Sequence, residues 1–117
     1  SSMVYREMTN NEREIFRIML LSIGRIEDYD PALEVMPFAN FGAASSIRFK
    51  RDDLTSKKSK LMTELRFRDS DGVEILVALF YDVMNRPFEI DFWRGDDMPI
   101  LDYPGLSSLV GALPEIK

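Results

Sequence analysis

The stretch GVEILVALFYDVMNRPFEIDFW, Gly72 to Trp93, decides the fold. It reads as two β-strands, Val73 to Asp82 and Phe88 to Arg94, joined by a tight turn and loaded with apolar side chains. Upstream, Asp69-Ser70-Asp71-Gly72 suits a type I turn followed by a glycine bulge, which places another strand over Lys60 to Arg68. Asp82-Val83-Met84-Asn85 can form the same kind of turn with Asn85 in the left-handed position. These turns fix a register. The first pairs Phe67 with Ile75, Leu65 with Val77 and Thr63 with Leu79; the second pairs Phe80 with Phe88, Ala78 with Ile90 and Leu76 with Phe92. In this register each face of the sheet mixes apolar residues with charges, so one helix cannot cover both.

A fourth strand is expected over Ala43 to Arg51, reached through an irregular crossing segment, Glu27 to Phe41. A polar connection, Asp52 to Ser59, follows it, and its lysines can blunt a sheet edge. Thr9-Asn10-Asn11-Glu12 is a capping box, so a helix should begin there, with Ile15, Met19, Ile23 and Ile26 on one face and Gly24 as its stop. The expected architecture is α+β. An N-terminal helix packs on a four-stranded antiparallel β-meander, and the C-terminal tail from Ile100 to Leu113 wraps the opposite face. One domain accounts for residues 3–117; Ser1 and Ser2 stand ahead of a natural start at Met3.

Composition narrows the function classes. The chain has 117 residues, 45% hydrophobic and 30% charged, with neither cysteine nor histidine, which excludes a disulfide scaffold and histidine-based catalysis. No apolar run approaches a membrane span and no signal-peptide layout opens the chain, so the expected location is the cytoplasm. A net charge of -5 argues against nucleic acid as partner. That charge is polarised, net +5 from Arg48 to Arg68 and net -7 from Asp69 to Tyr103, and strands of opposite sign should neutralise one another in a folded sheet.

The segments LEVMPFANFGAASSIRF and RDSDGVEILVALFYDVMNRPFEIDFWRGDDMPILDYP together resemble a family of small uncharacterised bacterial proteins. Its members share a Gly-Ser-containing strand, an Asp-Gly turn, a strand ending in Asp, and a Phe-Glu-Leu-Asp-x-Trp-Lys-x-Asp segment ending in Tyr-Pro. Here the last segment reads Phe88 through Asp96, with Tyr103-Pro104 behind it; the glycine-rich approach is reduced to Gly42-Ala43-Ala44-Ser45-Ser46. The resemblance implies an immunity-type or other partner-binding module.

Glu89 and Asp91 alternate on one strand face with Asp96 and Asp97 just beyond, the sharpest cluster for a divalent cation. The spacing and the glycine of a calcium loop are missing, so Glu89 and Asp91 are assigned structural polar roles, with no metal and no cofactor expected. No catalytic residue is assigned. Serine nucleophiles have only lysine as a possible base, and the Ser56-Lys57-Lys58-Ser59-Lys60 run reads as a solvated loop. Trp93, Asp96, Asp97 and Asp102 are the candidate partner-binding residues, an aromatic anchor amid carboxylates. The expected function is a non-catalytic protein-binding module, concretely an immunity-type protein that occludes a basic toxin. Two alternatives stand beside it: a metal- or small-ligand-dependent enzyme built on Glu89, Asp91, Asp96 and Asp97, and a homo-oligomeric structural protein.

Overall fold

The computed structural model describes residues 4–37, 45–52 and 57–103. The expected strand residues 43–44, the loop residues 53–56 and the tail from 104 onward lie outside them. Among the described residues six strands form one sheet, with one α-helix on it: β1 (Arg6–Glu7), α1 (Asn10–Ser22), a 3-10 turn (Ile26–Asp28), β2 (Glu34–Pro37), β3 (Ile47–Phe49), β4 (Lys58–Arg68), β5 (Glu74–Asp82) and β6 (Pro87–Arg94). The spatial order is β1-β2-β3-β6-β5-β4, every neighbouring pair antiparallel.

The α+β class stands, but the four-stranded meander does not. Two short strands, β1 and β2, extend the sheet, and β2 lies inside the segment read as irregular. The strand expected over Ala43 to Arg51 shortens to β3 and pairs with β6 instead of β4. Chemistry accounts for that pairing: Ile47 lies opposite Ile90, and Arg48 opposite Glu89, so apolar meets apolar and cation meets carboxylate.

The helix follows its capping signals. Thr9 Oγ1 accepts from the N–H of Glu12 at 3.1 Å, and Glu12 Oε1 accepts from the N–H of Thr9 at 2.9 Å. Glu12 also accepts from both terminal nitrogens of Arg6, at 2.7 and 3.0 Å, joining the start of the helix to β1. The chain leaves the helix through Gly24, whose φ of 69° is the left-handed conformation that a side chain disfavours.

The first hairpin has the register that its turn predicts: Phe67 opposite Ile75, Leu65 opposite Val77, Thr63 opposite Leu79. In the second, Asn85 takes φ 63° and Tyr81 lies opposite Pro87, as that turn demands. Then a bulge intervenes at Phe88, and Phe80 lies opposite Glu89, Ala78 opposite Asp91 and Leu76 opposite Trp93. The expected pairs of Phe80, Ala78 and Leu76 with Phe88, Ile90 and Phe92 are thereby each displaced by one residue. One extra residue exchanges the faces of β6. Ile90 and Phe92 now join Ile75, Val77, Leu79, Leu65 and Phe67 on the helix side, where Ile15, Phe16, Ile18, Met19 and Leu20 meet them in a single core. Phe16 packs against Phe49 with the rings tilted and their centroids 4.7 Å apart. Each fully buried aliphatic or aromatic side chain here contributes roughly 1.5–3 kcal/mol.

The start of the tail departs from expectation as well. Ile100 and Tyr103 pack against this same core, Tyr103 edge-on to Phe92 at 5.8 Å, so through residue 103 the chain lies on the helix side and not on the opposite face. The second face is left with Glu89, Asp91 and Trp93 of β6, Leu76, Ala78 and Phe80 of β5, and the charged side of β4.

Candidate partner-binding rim and its supporting charges

Period-two alternation and the Phe88 bulge together put Glu89 and Asp91 side by side on the second face, and both side chains are fully buried. Glu89 accepts from Arg48 Nε at 3.1 Å and Nη2 at 2.9 Å, and from Lys58 Nζ at 3.0 Å. Lys58 reaches it across the ring of Phe80, its ammonium 4.6 Å from the ring centroid. Among the described residues neither oxygen of Asp91 receives a hydrogen bond from an N–H or hydroxyl group, and Lys58 Nζ stops 3.9 Å away. Burial and the neighbouring Glu89 push the Asp91 carboxyl up to about 8. Burial also opposes ionisation of Glu89, but the bonds from Asp91, Arg48 and Lys58 outweigh it and hold Glu89 below the ordinary carboxylate range. Two ionised carboxylates cannot bond one another; a proton on Asp91, donated to Glu89, supplies the missing donor.

A second charge cluster closes the end of the sheet. Arg94, at the end of β6, is buried and donates to Asp69 at 2.5 Å, to Asp71, and to both oxygens of Asp96 at 2.8 and 3.0 Å. Asp69 in turn accepts from the backbone N–H groups of Ser70 at 2.7 Å, Leu101 at 2.7 Å and Asp102 at 3.0 Å. Burial opposes the charge on Asp69, yet these bonds prevail and take its carboxyl down to about 2. The hydrogen bonds of Asp96 and Asp71 raise the Arg94 guanidinium further above its already high value. The cluster ties the β4–β5 turn, the end of β6 and the start of the tail into one knot.

The four carboxylates considered for a cation are not brought together. Glu89 and Asp91 lie buried on the second face, while Asp96 binds Arg94. Among the described residues no group of three or more acidic side chains could hold a metal ion. Trp93 is half-buried and lies opposite Leu76. Asp97, with φ 64°, and Asp102 are exposed, and among the described residues no cation pairs with either carboxylate.

The acidic segment is largely neutralised from within. Arg66 pairs with Glu74 at 2.8 Å and Arg86 with Asp82 at 2.9 Å, alongside the Glu89 and Arg94 clusters. Among the described residues of this segment the exposed large apolar side chains are Val83 and Met84 in the β5–β6 turn and Met98 and Leu101, 58% and 64% exposed; only the second pair is flanked by Asp97 and Asp102. Of the residues that build both clusters, Arg48 and Arg94 were given no role by sequence reasoning, Asp69 was read only as a turn residue, and Lys58, expected in a solvated loop, opens β4 and bonds Glu89. The one signal for Arg48 and Lys58 was the polarity reversal between the basic and acidic stretches. Among the described residues no helix is long and apolar enough to cross a membrane.

Residues 5–104 match a protein family described as a domain of unknown function (DUF6984). No curated protein and no solved structure matches the chain.

Proposed function

We propose that this chain, which belongs to the DUF6984 family, is a non-catalytic protein-binding module of the immunity type, occluding a basic toxin with the rim formed by Asp97, Met98, Leu101 and Asp102. The observation that carries this reading is the contrast in charge use. Six acidic residues between Asp69 and Asp96 are held by cations of the same chain, whereas Asp97 and Asp102 flank two exposed apolar side chains with no internal cation among the described residues. Apolar side chains framed by uncommitted charge suit a contact that buries area at its centre and selects its partner at the edge. The Asp69–Arg94 knot fixes the loop before any partner arrives, so little ordering entropy is lost on association.

Tagged protein captured against the source organism's lysate should retain one stoichiometric, basic partner. Asp97→Lys with Asp102→Lys should lower the association rate roughly tenfold at low salt, with the melting temperature little changed. A partner held equally well by that double variant and by Met98→Ala with Leu101→Ala would remove the rim from the reading. Asp96→Lys is not a clean probe, because it breaks the bonds to Arg94.

A further inference from the structure

The sheet ends on β4, an eleven-residue strand, and among the described residues nothing pairs with its outer edge. Its first half is interrupted by register shifts between Lys58 and Lys60 and between Leu61 and Thr63, which twist that part away from regular pairing. From Thr63 to Arg68 the register is unbroken. The bond from Asp69 N to Val73 O at 2.9 Å sets the phase of this ladder. Bonded and non-bonded pairs alternate along an antiparallel ladder, so Thr63, Leu65 and Phe67 bond to β5, and Glu64, Arg66 and Arg68 turn their N–H and C=O groups outward. These three alternate residues, none of them proline, offer six main-chain groups that are unpaired among the described residues.

The charge on this edge selects the occupant. β4 carries Lys58, Lys60, Arg66 and Arg68 against the single acidic Glu64. A second copy of β4 paired about Arg66 would set Arg66 against its twin and Glu64 against Arg68, whereas an acidic segment offers a carboxylate to both arginines. Arg66 bonds Glu74 only at the surface, the two side chains 65% and 52% exposed, so an incoming carboxylate can exchange with Glu74 at small cost. Beside the edge, Arg66, Phe67, Arg68 and Glu74 line a depression of about 170 Å³, room for one side chain of a neighbouring strand.

We infer that the outer edge of β4 at Glu64, Arg66 and Arg68 accepts an extended acidic segment of another protein as a seventh strand of the sheet. Main-chain bonds would hold the segment, and carboxylates at alternate positions would meet Arg66 and Arg68. This goes beyond the rim reading, since it uses the opposite edge of β5 from β6 and a partner of opposite charge.

The test is a titration of the isotope-labelled full chain with a blocked seven-residue peptide alternating Glu and Val, followed by amide NMR and hydrogen exchange. Strand addition should shift the amides of Glu64, Arg66 and Arg68 and slow their exchange, and Arg66→Glu with Arg68→Glu should weaken the apparent affinity about tenfold. Asp97→Lys with Asp102→Lys should leave it unchanged, which separates this edge from the rim. Equal binding of a Lys-Val peptide, shifts without slowed exchange at those three amides, or no binding at millimolar peptide would overturn the inference. Light scattering that reports pairing of copies through this edge would overturn it too, by assigning the edge to a second copy.

Discussion

Asp91 is the residue whose chemistry the fold changes most. Its carboxyl titrates at about 8 in the folded chain against an ordinary value of 3.8, so folded molecules keep a proton that unfolded ones release over that interval. The resulting stability is whole below pH about 4 and is lost as the pH rises through about 8. Asp91→Asn keeps a donor toward Glu89 and cannot ionise, so parent and variant should melt together near pH 5 and diverge in the variant's favour by pH 9, by roughly 1–3 kcal/mol. Parallel melting curves across that range would mean that Asp91 is ionised and balanced in another way. Sequence alone placed Glu89 and Asp91 on one face, because two-residue spacing on a strand allows nothing else. It did not supply Arg48 or Lys58, which arrive from strands 41 and 31 residues away along the chain.

At the scale of the element, the Phe88 bulge has the largest leverage. Deleting Phe88 would remove the bulge and leave Glu89 opposite Phe80 and Asp91 opposite Ala78, so that variant should still unfold cooperatively, at a cost of roughly 3–5 kcal/mol for the lost buried ring. Phe88→Leu, which preserves the count, should unfold cooperatively with a cost of roughly 1–2 kcal/mol. A deletion variant that loses cooperative unfolding would contradict this account of the register. Both turns of the meander were legible, since Asp69 to Gly72 and Asp82 to Asn85 dictate their own geometry. The bulge was not, because β5 runs apolar on both faces from Ile75 to Phe80 and so gives no polarity contrast to fix the phase of its neighbour. The mixture of charge and apolar residues on both faces of the unshifted sheet was its only trace. β2, four residues closed by Pro37, is too short for periodicity to reveal, and the choice of β6 as partner of β3 is a long-range match that no local pattern encodes.

For the whole molecule, the knot at Arg94 determines how the tail is held. Asp69→Ala removes one carboxylate that bonds Arg94 and the N–H groups of Leu101 and Asp102. Those two amides should then exchange far faster, and the melting temperature should fall by roughly 5–10 °C. With Asp69 depressed to about 2, the parent should keep its tail tethered down to about pH 4 and release it as the pH falls toward 2. Amides at 101 and 102 that stay protected in Asp69→Ala would show that the core contacts of Ile100 and Tyr103 suffice. The sequence expectation that oppositely charged strands neutralise one another is met by particular pairs, Arg48 and Lys58 on Glu89 and Arg66 on Glu74, which is why the net charge of -5 understates how little acidic surface is uncommitted. The bulge also carries a consequence for descent. A relative that lacked Phe88 alone would keep every acidic and apolar letter from Glu89 to Trp93 on its present face, so the loss of that one residue should appear in an alignment with no change of polarity pattern beyond it.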